Sequence, residues 1–269
     1  YYQLHQNGIY HFNKKNYQVE SIIKTQNGAN AYLKKSDEIQ KRTIPIVKTS
    51  LTQVSEKKSI KKEIDSTTTK ITLRYGLIDM NRTITGYLKG NYNDSADKFE
   101  TINGDSISTW NNFNWNSKHY CTSIFIPSEF GTKIKSDVKN SIVTDSKIHT
   151  ITHVLVNASK ILTKSESNDI DAYYEDGVIH LFDNTSDGYN GCSKMIYENF
   201  EKIMDTCFDL VNECDCPVDP KQKKAVSEGE EWGGCPKCTF TTNYCQTKNK
   251  KLSKNEALEF FSIFKREIK

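Results

Sequence analysis

Cys214-Asp215-Cys216 and Gly234-Cys235-Pro236-Lys237-Cys238 gather four of the chain's 8 cysteines into two tight pairs. Turns this short aim both sulfurs of a pair at one point, and four thiolates in a tetrahedron are what Zn²⁺ takes, at about 2.3 Å. Four protein ligands leave no open position for water, so the expected site is structural rather than catalytic, with Cys214, Cys216, Cys235 and Cys238 as ligands. Cys245 is a fifth candidate, either replacing one of the four or lying close by as a free thiol. A redox reading of Cys235-Pro-Lys-Cys238 competes with this one. That motif normally opens a helix after a strand, however, and no such context surrounds it.

Other groupings fall short of the chemistry their residue types suggest. His149 and His153 stand four apart, like the pair of a zinc-protease helix, but position 150 is Thr and the general-base Glu is missing. Their expected role is packing and hydrogen bonding at the edge of a buried stripe. A zinc deaminase needs His-X-Glu with Pro-Cys-X-X-Cys; here the proline lies between the two cysteines. Phosphate-loop motifs are absent from the sequence, so no catalytic residue is assigned and no binding or splitting of ATP is expected of this chain. Asp183, at a strand end before a glycine turn, is expected to order that turn. Cys207 and Cys121 are expected in the core, and Cys192 in a structural role.

Stepping from these groups to the elements that hold them, the 269 residues can bury a real core, with 36% hydrophobic and 26% charged residues. The sequence offers no apolar run of the roughly 18 residues a bilayer span needs, so no membrane is expected. It opens on Tyr1-Tyr2-Gln3, which suggests a piece of something longer. Net charge is +3, which neither requires nor excludes nucleic acid. Clustered cysteines with metal spacing point to a reducing, intracellular location, cytoplasmic or nuclear.

The first half reads as β. Gly8–Phe12 and Tyr17–Ile23 form a hairpin about Asn13-Lys14-Lys15-Asn16, and Gln26-Asn27-Gly28 turns the chain into Ala29–Leu33. Further strands are expected at Thr43–Val47, Lys70–Leu77, Arg82–Leu88 and His119–Ile126. Thr52–Thr69 reads as a loop or short helix, and Gly90–Asp105 as a weakly ordered insertion. The second half changes period. Ile148, Ile151, Leu155, Ala158 and Leu162, widened by Val154 and Ile161, mark one helix. A short buried strand, Gly177–Phe182, precedes a second helix that turns Ile196, Phe200, Ile203, Cys207 and Leu210 inward. A capping box, Ser253-Lys-Asn-Glu256, opens a third, with Ala257, Phe261, Phe264 and Ile268 on one face.

Several of these segments together carry a resemblance. His149-Thr-Ile-Thr-His153, Asn168-Asp-Ile-Asp171, Leu181-Phe-Asp183, Gly188-Tyr-Asn-Gly191, both cysteine pairs, Cys245 and Asn249-Lys-Lys-Leu-Ser-Lys254 occur in order. This set resembles the C-terminal zinc-binding region of MrfA-type superfamily-2 DNA helicases, including fungal and plant relatives of the fourth RecQ-like helicase. Gly8-Ile-Tyr-His11 with Tyr17-Gln-Val-Glu20 is similar to the β segment those helicases carry after their winged-helix part. The match is weakest from Leu51 to Asn114. Two departures stand out: the turn reads Asp-Gly-Tyr-Asn-Gly where the family tends to Gly-Gly-X-Gly, and the loop between the cysteine pairs is longer. The resemblance implies zinc on the four cysteines and a pair of RecA-like ATPase domains elsewhere. It also implies 3′-to-5′ unwinding in DNA repair or defence against phage.

The expectation is therefore an α+β chain, with a β-rich helicase-associated part at 1–115 and an α/β zinc-binding domain with three main helices at 116–269. Its expected function is non-catalytic DNA handling for a superfamily-2 helicase whose motor acts in cis or in trans. Single-stranded or forked DNA would meet Lys248, Lys250, Lys251 and Lys254. The alternative is a zinc-stabilised protein-interaction scaffold that never touches DNA. An unrecognised enzyme centred on His149, His153, Asp169 and Asp183 is a third reading.

Overall fold

The Asn13-Lys14 turn sets the first hairpin in the computed structural model, which describes residues 5–26, 28–38, 40–53, 60–65, 70–91, 93, 99–104, 113–127, 146–185, 187–216, 232–233, 235–241 and 252–265. Phe12 pairs with Lys15 across it, and both turn residues have positive φ (48° and 61°), as a two-residue type I′ loop requires. Its strands are β1 (Ile9–Phe12) and β2 (Lys15–Thr25), and β3 (Gly28–Lys35) completes an antiparallel meander. The chain divides into two compact units. The meander belongs to the first, Tyr1–Leu51 with Met80–Asn116; the second is Thr52–Asp79 with Ser117–Lys269.

β4 (Lys41–Gln53) pairs with β6 (Lys70–Asn91), and β7 (Glu100–Asn103) lies on β6 from Gly86↔Asn103 to Lys89↔Glu100. β7 gives a strand to the stretch expected to be weakly ordered. β6 also replaces two expected strands with a single one of 22 residues. The buried positions explain the difference. They are odd at Ile71, Leu73 and Tyr75, then even at Ile78, Met80, Arg82 and Ile84. The hydrophobic phase slips across Gly76-Leu77, and a phase slip reads in sequence as a break.

The second unit holds the helices. β5 (Ile60–Asp65), where a loop or short helix was expected, runs antiparallel to β6 from Ile60↔Tyr75 to Asp65↔Lys70. Lysine-rich composition suits a strand with only one paired side. The sheet continues β6–β8–β10–β9, with β8 at Phe113–Phe125, β9 at Ile170–Glu175 and β10 at Val178–Asp183. Asp176-Gly177 joins β9 to β10 with φ of 48° and 83°, a second type I′ turn.

Four helices are found among the described residues: α1 (Ser146–Thr163), α2 (Cys192–Glu198), α3 (Phe200–Asn212) and α4 (Lys254–Phe264). The expected stripe of α1 is buried at Ile148, Ile151, Val154, Leu155 and Ala158, but Ile161 is exposed near the helix end. The second expected helix is two helices. Asn199 leaves helical geometry (φ −112°, ψ 25°) and its amide Nδ2 donates to the Met195 carbonyl at 3.0 Å. Asparagine competes for backbone carbonyls in this way and so favours helix ends. The apolar stripe survives the break, with Ile196, Phe200, Ile203 and Cys207 all fully buried and Leu210 partly so. In α4, Ala257, Phe260, Phe261 and Phe264 face the same core; Ile268 lies outside the described residues. Cys121, Cys192 and Cys207 are all buried.

Candidate metal centre

The cysteine pairs close on each other. Cys214, Cys216, Cys235 and Cys238 bring their four Sγ atoms within 4.8 Å of one another. Cys214 lies 3.8 Å from Cys235 and 3.3 Å from Cys216, and Cys216 lies 3.7 Å from Cys238. Four sulfurs at about 2.3 Å from one ion would stand about 3.8 Å apart, the edge of that tetrahedron. No pair among them is joined by a disulfide. The donor set and its spacing fit a structural zinc site.

Electrostatics agree with this chemistry. Burial pushes the Cys214 thiol up to about 11, helped by the neighbouring sulfurs. Burial, then the charge of Cys235, pushes Cys238 higher still. Burial acts upward on Cys216 too, but hydrogen bonds involving Cys235, Cys214 and Lys254 outweigh it and bring that thiol down to about 7. Four sulfurs this close oppose one another's ionisation, and a divalent cation at their centre removes that opposition.

The surrounding backbone is built to hold the second pair. The Cys235 carbonyl accepts from Thr239 N at 2.9 Å and Phe240 N at 3.0 Å, which winds Cys235–Phe240 into a tight knuckle. Thr239 Oγ1 also accepts from Cys235 N at 2.5 Å. Helix α1 clamps the knuckle from outside. His153 Nδ1 donates to the Thr239 carbonyl at 3.0 Å, and Asn157 Nδ2 donates to the carbonyls of Phe240 at 2.9 Å and Cys238 at 3.4 Å. His149 packs edge-on against His153, ring centres 4.3 Å apart. The histidine pair thus has the packing and hydrogen-bonding role expected of it.

The same clamp reaches the last helix. A short parallel pairing of β11 (Trp232–Gly233) with β12 (Leu252–Ser253) lays the approach to the knuckle beside the approach to α4. Ser253 caps α4, its Oγ accepting from Glu256 N at 3.4 Å, while its own N–H donates to Thr150 Oγ1 of α1 at 2.7 Å. Lys254, the first residue of α4, points into the cysteine cluster. Its Nζ lies 2.9 Å from the Cys214 carbonyl and 3.2 Å from Cys216 Sγ.

Asp183 is occupied elsewhere. Its fully buried carboxylate accepts from Ser193 N at 2.6 Å and from Asn190 N and Gly191 N at 3.1 Å each, closing the N-terminus of α2. It orders the glycine turn, as expected. In that turn Gly188 (φ 71°) stands so near β8 that a Cβ would come within 1.7 Å of the Lys118 carbonyl oxygen. The tight backbone contact is therefore present despite the departure from Gly-Gly-X-Gly. Asp169 binds the Glu166 N–H at 2.8 Å. Asp183 serves the α2 terminus and His153 the knuckle, so each has a structural task. Asp183→Ala takes the acceptor from three backbone donors, the one at Ser193 fully buried, and is expected to destabilise the second unit by roughly 2–3 kcal/mol, with Asp183→Asn costing less, read from urea unfolding midpoints.

Residues 151–239 match the family model of the MrfA Zn-binding domain, a span that contains all four cysteines with His153 and Asn157. These residues form an MrfA-type zinc-binding region. The uncharacterized protein MJ1572.1 of Methanocaldococcus jannaschii is 27% identical over 121 residues, which is 41% of this chain and 93% of that protein. A crystal structure of the DUF1998 helicase MrfA bound to DNA superposes with a TM-score of 0.55 at 18% identity, over 98% of this chain and 30% of that one. At that identity the likeness is one of fold, and the chain spans 30% of the solved protein's length. The described residues include no helix long and apolar enough to cross a membrane.

The four cysteines expected to act together do lie together, but the residues that steady them were not foreseen. Thr239 and Asn157 carried no motif. Lys254, grouped by charge with the lysines expected to meet DNA, places its amine on the first cysteine pair. Lys248, Lys250, Lys251 and Cys245 lie outside the described residues.

Proposed function

We propose that this chain is the non-catalytic, zinc-stabilised DNA-handling region of a superfamily-2 3′-to-5′ DNA helicase, acting in DNA repair or defence against phage. The observation that carries the reading is the four-sulfur cluster inside the MrfA Zn-binding match. Cys214, Cys216, Cys235 and Cys238 would hold the zinc. The ion would supply no chemistry on substrate; it would cross-link the end of α3, the knuckle and the start of α4, and its binding energy would become folding energy. A fold shared with a helicase whose solved structure contains DNA supports the nucleic-acid part of the reading. The ATPase motor, in cis or in trans, is the expected partner, in a cytoplasmic or nuclear setting.

Single-stranded or forked DNA is the proposed ligand, with Lys248, Lys250 and Lys251 at its phosphates. The test is fluorescence anisotropy of the zinc-loaded chain on labelled single-stranded, forked and blunt duplex DNA across a salt series. Affinity is expected to fall as salt rises. Replacing the three lysines with alanine is expected to flatten the log–log salt slope on single strands by about 2. Absence of binding at low salt removes DNA from the reading and leaves a protein-interaction scaffold, whereas binding with an unchanged slope in the variant removes these three lysines from the interface.

A further inference from the structure

We propose that Lys254 is a positioning residue of the zinc centre, one that joins the metal to the C-terminal helix through the Cys216 thiolate. This rests on the zinc reading above and extends it from the ligands to a side chain outside their set. Four thiolates around one divalent ion carry a net charge of −2. A site of that charge is stabilised by N–H donors aimed at its sulfurs, because each donor withdraws electron density from a thiolate. The described residues supply two such donors. Lys237 N–H reaches Cys235 Sγ at 3.3 Å, a contact any residue but proline would make at that position. The other is Lys254 Nζ, 3.2 Å from Cys216 Sγ, and it is the one that also brings a positive charge.

Geometry gives this lysine a second task. Its Nζ also donates to the Cys214 carbonyl at 2.9 Å, so one ammonium spans the whole first cysteine pair. The residue sits half-buried at the first position of α4, directly after the Ser253 cap. Ser253 is held to α1 through Thr150 and to the approach to the knuckle through Gly233. Metal, first cysteine pair and helix start are thereby one hydrogen-bonded unit. Lys237 makes the natural contrast: among the described residues its side chain reaches Asp215 rather than a sulfur, and both of those groups are largely exposed.

The experiment loads full chains with zinc and follows transfer to a chromogenic chelator. Lys254→Met keeps the aliphatic stem and loses the donor and the charge. It is expected to release zinc about 10–100-fold faster than the parent, the usual effect of removing an outer partner of a metal ligand. Lys254→Arg, which keeps a cation and donors, is expected to stay nearer the parent, and Lys237→Met to match it. In cobalt-substituted protein the sulfur-to-metal charge-transfer band of Lys254→Met is expected at lower energy, since Cys216 becomes more electron-rich. A purely structural role for the lysine would not move that band. Release from Lys254→Met within about twofold of the parent overturns the proposal, as does equal acceleration in Lys237→Met or an unmoved cobalt band. A parent chain that takes up no metal fails the zinc reading itself and is told apart by that result.

Discussion

Replacing Cys238 with serine is expected to lower the zinc content from one ion per chain to near none, and to unfold the chain from the end of α3 through the start of α4. Cys238 is fully buried, and its sulfur lies 3.7 Å from that of Cys216. A serine hydroxyl does not ionise near neutral pH, so the tetrahedron loses a charge as well as a ligand. Structural zinc contributes about 10–16 kcal/mol to folding in small zinc-finger peptides, as much as the whole stability of an ordinary domain. Amide hydrogen exchange is the measurement that localises the loss. Protection should vanish at Cys235–Phe240 and in the first turn of α4, while the β8–β10–β9 strands, which owe nothing to the metal, keep theirs. Cys121→Ser is the control, because that thiol is equally buried but lies in β8. Equal zinc content in Cys238→Ser and parent would contradict the site.

Gly188→Ala carries the second large effect, expected at roughly 4 kcal/mol or more and read from the denaturant midpoint at constant m-value. Two penalties act together there. The φ of 71° is one that residues with a Cβ rarely adopt, and the added carbon would meet the Lys118 carbonyl oxygen at 1.7 Å. That oxygen belongs to the backbone of a paired strand, and the Gly188 carbonyl itself accepts from Tyr120 N at 2.8 Å, so neither side yields. Gly177→Ala separates the two penalties. Its φ is 83°, but nothing lies within 4 Å of the added carbon, so only the backbone cost of about 1 kcal/mol is expected. Similar losses in both variants would mean that the close approach at Gly188 contributes little.

How far the sequence reached depended on the range of the interactions involved. The cysteine cluster was legible because chelation needs sulfurs at short, fixed spacing, and that spacing survives in one dimension. The α1 stripe and the Ser253 cap were legible for the same reason, since each is written within a few residues. Features set by distant partners were not. Burial of β6 changes phase at Gly76-Leu77, and a strand whose inward face alternates sides looks like two. The β9 strand has no counterpart among the expected elements, although Asp176-Gly177 is a hairpin signal between it and β10. Lys254 was assigned by the company it keeps in sequence. Its true neighbours, Cys214 and Cys216, lie about forty positions away.

The side-by-side run of Trp232-Gly233 with Leu252-Ser253 bears on how such a region can vary. Both stretches that join the anchored pieces, from Cys216 to Trp232 and from Thr241 to Leu252, begin and end at points fixed by other contacts. Closing a longer chain between two fixed ends costs little, about 0.6 kcal/mol for each doubling of a flexible segment, so the fixed ends rather than the length between them set where the sulfurs stand. Residues added between these ends would leave the four-sulfur anchor as it is.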